Sequence, residues 1–374
     1  MSICSKEGRL ASPLPRLILA SSLLAVATAT FAQPAPSAQQ PTPLRVDEQG
    51  TIQTPPMTIP LSSYLSPEGK AFVAEHLNAF QKGIGAIDDN GVPEWMKGYL
   101  ASARKQFNVE RQDTSIGGVH SYVYTPRDGV LPQNRRRVLI NLHGGGFGGC
   151  FPGCTELESL PIAGLGRIKV VSPDYRQGPK SRFPAASEDV TAVYRELLKS
   201  YKPGQIGVYG CSAGGMLVGQ FLAWIQKEGL PNPGAAGIYC SGLSFGDVAY
   251  GGDATYIGLP LGDAAVPPPP LRSGQKAPVL PYFEGADLKG PLTAPALHPD
   301  VLAKFPPTMF ATSTRAFDYS AAIYAHRQLV NAGVKAELNM WEGLPHGFIY
   351  NPDIPESKDF FQTVLRYFDS HLSR

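Results

Sequence analysis

The chain has almost no net charge. Its 374 residues carry 33 Lys and Arg against 31 Asp and Glu, a balance of +2. Nothing in that balance points to nucleic acid or to a strongly anionic partner. The basic run Arg135-Arg136-Arg137 reads as a solvated turn ahead of a strand. Long apolar runs are scarce as well. The stretch from Leu17 to Ala29 is too short and too rich in Ser, Thr and Ala for a membrane span, and no other stretch is long enough to cross a bilayer. There is no dinucleotide fingerprint, no Cys/His spacing suited to zinc and no internal repeat. No metal and no cofactor is implied.

Lys6, Arg9 and Arg16 precede the apolar run, and Thr30-Phe31-Ala32-Gln33 follows it. That layout predicts a secretory signal peptide over residues 1–32, cleaved after Ala32, and an exported protein of the periplasm or the medium, with no stable membrane span once the signal is removed. Residues 33–60 are rich in Pro, Gln, Ala and Thr. Such a segment cannot bury enough apolar surface to fold alone, so it reads as a disordered linker. Of five cysteines, Cys4 leaves with the signal. An oxidising compartment permits disulfides among Cys150, Cys154, Cys211 and Cys240. Sequence cannot choose among the pairings. Cys150 and Cys154 stand close together in a glycine-proline loop and are the pair expected first.

Strand-like runs recur at 138–142, 168–172, 206–209, 236–240, 308–312 and 336–341. Helical patterns lie between several of them. One follows Ser187 as its expected N-cap, one spans 214–227, one spans 319–332, and one closes the chain at 358–372. Alternating strands and helices predict a doubly wound α/β fold with a mostly parallel sheet. Such sheets gather their chemistry at the C-terminal ends of the strands.

Chemistry-bearing residues stand at those ends. Gly210-Cys211-Ser212-Ala213-Gly214 fits Gly-x-Ser-x-Gly between a strand and a helix, the setting of a nucleophile elbow. His143-Gly144-Gly145-Gly146-Phe147 follows the 138–142 run, and its free backbone N–H groups suit a developing oxyanion. A phosphate loop would need Gly-Lys-Ser/Thr there, and Phe147-Gly148-Gly149-Cys150 follows instead. His346, between Pro345 and Gly347 in a late loop, suits a general base for Ser212.

These segments resemble the hormone-sensitive-lipase family of α/β-hydrolase serine esterases. The resemblance rests on His143–Phe147, Ser172-Pro173-Asp174-Tyr175-Arg176, Phe183-Pro184-Ala185-Ala186, Gly210–Gly215 and His346-Gly347-Phe348, in that order. It implies an α/β-hydrolase core over 113–243 and 308–374. It also implies a cap made from 61–112 and an insertion at 244–307, with Tyr250, Tyr256, Tyr282 and Phe283 as candidates for the pocket wall or for packing the loop onto the core. It implies that Gly145, Gly146 and Ala213 donate the oxyanion N–H groups, and that His143 shapes the loop. The family's acid position is occupied here by Ala316. Asp318 then takes the role of acid; the alternatives are that it only caps the following helix, or that Glu342 is the acid. Cys211, where many relatives carry Asp, reads as a small buried residue. The implied activity is hydrolysis of short- to medium-chain carboxylic esters through an acyl-enzyme on Ser212, His346 and Asp318, with a small-molecule ester as substrate and no nucleic acid as partner; the oligomeric state is left open. The alternatives are a lactonase, amidase or acyl transferase on the same site, or a degenerate homologue that binds a ligand without turnover.

Overall fold

The structure, a computed structural model, describes residues 44–83, 85–246, 252–265 and 279–374. The expected signal peptide lies outside the described residues, as does the first part of the linker. The described residues fall into two units, 44–58 and 59–374. In the first, Arg45–Val46 pairs antiparallel with Ile52–Gln53. The Asp47 carboxylate accepts the N–H groups of Gln49 at 3.0 Å and Thr51 at 2.8 Å, which fixes the intervening turn. Part of the segment read as a disordered linker is therefore a short ribbon, held by local turn chemistry with all its residues but Pro55 exposed.

In the second unit the strands are β1 (Val109–Ile116), β2 (Val119–Pro126), β3 (Val138–Leu142), β4 (Lys169–Pro173), β5 (Ile206–Cys211), β6 (Ala235–Tyr239), β7 (Thr308–Ser313) and β8 (Ala336–Trp341). They form one sheet in the order β8-β7-β6-β5-β3-β4-β2-β1. Strand β2 pairs antiparallel with β1 and β4, and the remaining pairs are parallel. The longer helices are α1 (Pro67–Lys82), α2 (Met96–Gln106), α3 (Gly153–Gly166), α4 (Ala185–Leu197), α5 (Ala213–Lys227), α6 (Asp253–Asp263), α7 (Tyr319–Asn331) and α8 (Pro355–His371).

Strands β3, β5, β6 and β7 are buried throughout, and so read as unbroken apolar runs rather than alternating ones. Their side chains still alternate between two cores. Leu139, Tyr209 and Met309 pack with Leu157 and Leu160 of α3 and Phe360 and Val364 of α8. Ile140, Val208 and Phe310 pack with Val190 of α4, Phe221 of α5 and Leu329 of α7. The sheet is thus covered on both faces, as the sequence rhythm requires.

Several expectations need correction. The sheet starts at Val109, ahead of the 113 boundary, because β1 and β2 form a hairpin whose first strand is largely exposed and polar. Helix α3 went unread because it is buried on nearly every side and shows no amphipathic stripe. Helix α4 starts at Ala185, so Ser187 lies inside its first turn and caps nothing. Arg137 is not a solvated turn residue. It is 2% exposed, and its guanidinium donates to the carbonyls of Leu372 (2.6 Å) and Ser373 (3.0 Å) and to Asp369 (2.7 Å). Those carbonyls follow the last turn of α8 and have no intrahelical donor, so the buried cation satisfies them.

The turn from β5 into α5 is packed directly on the end of β3. A Cβ on Gly214 would lie 1.7 Å from the Leu142 carbonyl oxygen, and one on Gly210 would lie 2.3 Å from it. Backbone meets backbone there, and no rotamer change relieves the clash. Gly214→Ala should therefore cost at least the ~1–3 kcal/mol typical of overpacking. Denaturant titration should show a lower midpoint with an unchanged slope.

Candidate active site

Ser212 sits at the tip of that turn with φ 57° and ψ −120°. A serine in this region carries strain of about 1–3 kcal/mol, which the surrounding backbone packing must over-determine. Its Oγ lies 3.1 Å from His346 Nε2. His346 Nδ1 lies 2.6 Å from Asp318 Oδ1. Asp318 Oδ2 accepts the Thr312 hydroxyl at 2.7 Å. Hydroxyl, imidazole and carboxylate thus form one hydrogen-bonded chain, drawn from the ends of β5, β7 and β8. Such a chain can carry a proton from the hydroxyl to the imidazole while the carboxylate holds the ring in one tautomer.

Asp318, Glu342 and position 316 differ in what surrounds them. Asp318 stands at the N-cap of α7, yet its side chain makes no capping hydrogen bond. It is 1% exposed and turned onto His346. Glu342 is exposed and, among the described residues, makes no hydrogen bond to His346. Ala316 is fully buried, and its backbone is pressed by α6: a Cβ on Gly258 would lie 2.8 Å from the Ala316 carbonyl. A carboxylate at position 316 would be desolvated beneath that helix. Asp318, two residues later, meets both the ring and the threonine.

The glycine run divides its donors. Gly144 N–H donates to Glu158 Oε1 at 2.8 Å. Among the described residues, no acceptor is recorded for the N–H groups of Gly145, Gly146 or Ala213. Gly145 has φ 114°, and a Cβ there would meet the Gly149 carbonyl at 2.4 Å, so the loop shape demands glycine. His143 is fully buried, with its ring stacked on Tyr175 at 4.4 Å and Nδ1 2.7 Å from the Gly144 carbonyl oxygen. Burial pushes its pKa down from 6.5 to about 4 against the opposing pull of that carbonyl, so the ring is a neutral brace for the loop. Cys150 and Cys154 are disulfide-bonded just beyond it, at the start of α3. Cys211 is a buried free thiol, and burial raises its pKa, which suits packing rather than nucleophilicity.

A pocket of about 260 Å³ opens onto Ser212, His346, Gly145 and Gly146. Its other walls include His76 and Phe80 of α1, Trp95 and Met96 at α2, Asp263 of α6, and Phe317. Residues of both the 61–112 and the 244–307 segments thus line the pocket. Of the aromatics singled out from the sequence, Tyr250 lies outside the described residues and Tyr256 is half exposed away from the pocket. Tyr282 and Phe283 are buried against Phe147, each at 4.9 Å between ring centres, so they pack the loop onto the core.

Sequence reasoning missed Glu158. It lies beneath the site, 1% exposed, and accepts Asn141 Nδ2 at 2.8 Å and the Tyr350 hydroxyl at 3.0 Å besides Gly144 N–H. It thereby ties the glycine loop to the loop that carries His346. The local sequence, Glu156-Leu157-Glu158-Ser159-Leu160, carries little signal, because two glutamates and a serine alternate there with leucines. Burial raises its pKa from 4.5 to about 7, although its three donors pull the other way. A carboxyl raised on folding adds stability that is complete below about pH 4.5 and is lost as pH climbs through about 7. Glu158→Gln should therefore flatten the fall in melting temperature between those limits, and thermal melts across that pH range measure it.

A family model described as the alpha/beta hydrolase fold matches residues 139–350. An acetyl-hydrolase of Streptomyces hygroscopicus is 29% identical over 224 residues, 59% of this chain and 72% of that protein. A versiconal hemiacetal acetate esterase of Dothistroma septosporum is 27% identical over 274 residues, 69% of this chain and 80% of that protein. Among solved structures, an esterase named E25 matches with a TM-score of 0.71 at 27% identity, over 86% of this chain and 99% of that one. An esterase from the bacterial hormone-sensitive lipase family, at 22% identity and a TM-score of 0.67, shares the fold. These findings agree with the resemblance read from the motifs. With more than half its length inside the family match, the chain belongs to the alpha/beta hydrolase fold family, and it is a carboxylic ester hydrolase.

Proposed function

We propose that the protein is an exported serine carboxylesterase acting on short- to medium-chain esters. The observation that carries this reading is the chain from Asp318 through His346 to Ser212, opening onto a pocket beside unpaired glycine N–H groups. Ser212 Oγ attacks the ester carbonyl while His346 Nε2 takes its proton. The N–H groups of Gly145, Gly146 and Ala213 hold the oxygen that becomes negative. His346 then protonates the departing alcohol, and water, activated by the same imidazole, frees the acyl group. Asp318 orients the ring and stabilises the imidazolium. The modest pocket, walled by Phe80, Trp95 and Phe317, favours short chains over long triglyceride chains. Export rests on the layout of residues 6–33 and on the Cys150–Cys154 bridge, which a reducing cytosol would not keep. Among the described residues no helix is long and apolar enough to cross a membrane.

Ser212→Ala should abolish hydrolysis of p-nitrophenyl butyrate and labelling by a fluorophosphonate probe; retained turnover would sink the proposal. The pH profile tests the acid. Burial works against the imidazolium of His346, but the hydrogen bond and charge of Asp318 outweigh it and raise the pKa from 6.5 to about 9. The base must be neutral to act, so kcat/KM should climb with pH towards that value. Asp318→Asn removes the charge. Its rising limb should move to lower pH while its plateau drops by on the order of ten-thousand-fold. Mass spectrometry of the exported product should find Gln33 at its amino terminus.

A further inference from the structure

The pocket wall holds a second histidine–carboxylate pair that the chemistry above does not use. His76 Nε2, on α1, lies 3.0 Å from Asp263 Oδ1, at the end of α6. The two residues come from the two separate cap segments, and both line the pocket that contains Ser212 and His346. Their side chains are only 11% and 12% exposed, so the pair is largely withdrawn from bulk water. The His76 ring is held by Phe80 at 4.4 Å and Phe72 at 5.8 Å between ring centres. Among the described residues nothing is recorded as pairing with Asp263 Oδ2 or His76 Nδ1, and neither atom is sealed from solvent.

The placement of Asp263 is costly. It is the last residue of α6, where the helix dipole already presents negative charge, and no basic residue offsets it in that turn. The chain end there is fixed instead by Arg315, whose guanidinium donates to the Leu261 carbonyl at 3.2 Å and the Pro60 carbonyl at 2.8 Å. A carboxylate set against its own helix dipole, with one oxygen paired to His76 and the other facing a pocket walled in part by Phe80, Trp95 and Phe317, departs from local preference, and such departures concentrate at functional positions.

We propose that Asp263, oriented by His76, selects esters that carry a hydrogen-bond donor, a hydroxyl or an ammonium, on the part of the substrate lying under the cap. This rests on the esterase reading and deepens it. The free carboxylate oxygen accepts the donor, and its charge rejects substrates that carry a carboxylate of their own. A purely aliphatic group leaves that oxygen without a partner and gains only the apolar wall. Hydroxyl and ammonium share the donor; they differ in charge, so the test separates them.

The test uses four methyl esters of similar size, followed by alkali uptake at fixed pH: butanoate, β-hydroxypropanoate, β-alaninate and monomethyl succinate. The readout is each ester's kcat/KM relative to butanoate within one enzyme, so a variant that folds less well still reports selectivity. Wild type should prefer the hydroxyl or ammonium ester to butanoate and disfavour succinate. In Asp263→Asn the ammonium preference should fall by about tenfold, the size of one charge-assisted hydrogen bond, and the succinate ratio should rise. Asp263→Leu should lose the hydroxyl preference too. A hydroxyl ratio that falls alone assigns a hydroxyl donor; an ammonium ratio that falls alone assigns a cation. Ratios that stay within about twofold in both variants overturn the proposal. If wild type cleaves none of the four, or Ser212→Ala cleaves them equally well, the esterase reading itself fails. If wild type cleaves butanoate through Ser212 and the ratios do not move, only the role of Asp263 falls.

Discussion

The site depends on one steric seam, the contact of the β5–α5 turn with the carbonyl at the end of β3. Gly210 and Gly214 both face Leu142 O at distances that exclude any side chain. That contact holds Ser212 at positive φ, where an L-residue would not stay by choice. It also sets the spacing between Ser212 and the glycine loop, because the loop leaves β3 from the next residue. Ser212 and the glycine loop therefore share one rigid reference. Few kcal/mol separate a folded domain from its unfolded chain, so a seam of backbone on backbone can tolerate no added methyl group.

The carboxylate side is built by a different constraint. Asp318 is buried, and a buried charge must be paired and hydrogen-bonded to be tolerated. His346 and Thr312 together meet that need, and both lie at strand ends fixed by the sheet. Helix α6 closes over Ala316 and removes that position from use. Under the proposed reading, packing of α6 on Ala316 accounts for an acid that stands two residues further on, at Asp318.

Glu158 links these halves from below. It meets the first glycine of the loop, the strand residue Asn141, and Tyr350 beyond the histidine. By occupying Gly144 N–H it leaves the next two N–H groups free for the pocket. The loop is further bounded by the Cys150–Cys154 bridge and by the stacked rings of His143 and Tyr175. Oxyanion donors act well only when they are already in place as charge develops, and under the proposed reading these contacts would hold them there.

Sequence alone determined the parts that depend on local chemistry and on period. The buried parallel strands are continuous apolar runs, the elbow is glycine, serine, glycine between strand and helix, and the donor loop is a glycine triplet. Each is legible because the backbone there admits few residue types. It also placed Ser212 and His346, since their motifs sit at strand ends. The rest was decided in three dimensions. The first strand of the β1–β2 hairpin is largely exposed and polar, and α3 is buried on nearly every side, so neither shows the expected periodicity. Arg137 looked like a surface cation because nothing local reveals that the carbonyls at the end of α8 come to meet it. The ambiguity of Asp318 between capping and pairing is a question of where one carboxylate points, which only β7, β8 and α6 together answer. Glu158 and the His76–Asp263 pair join residues far apart in the chain, and no spacing rule could have brought them together.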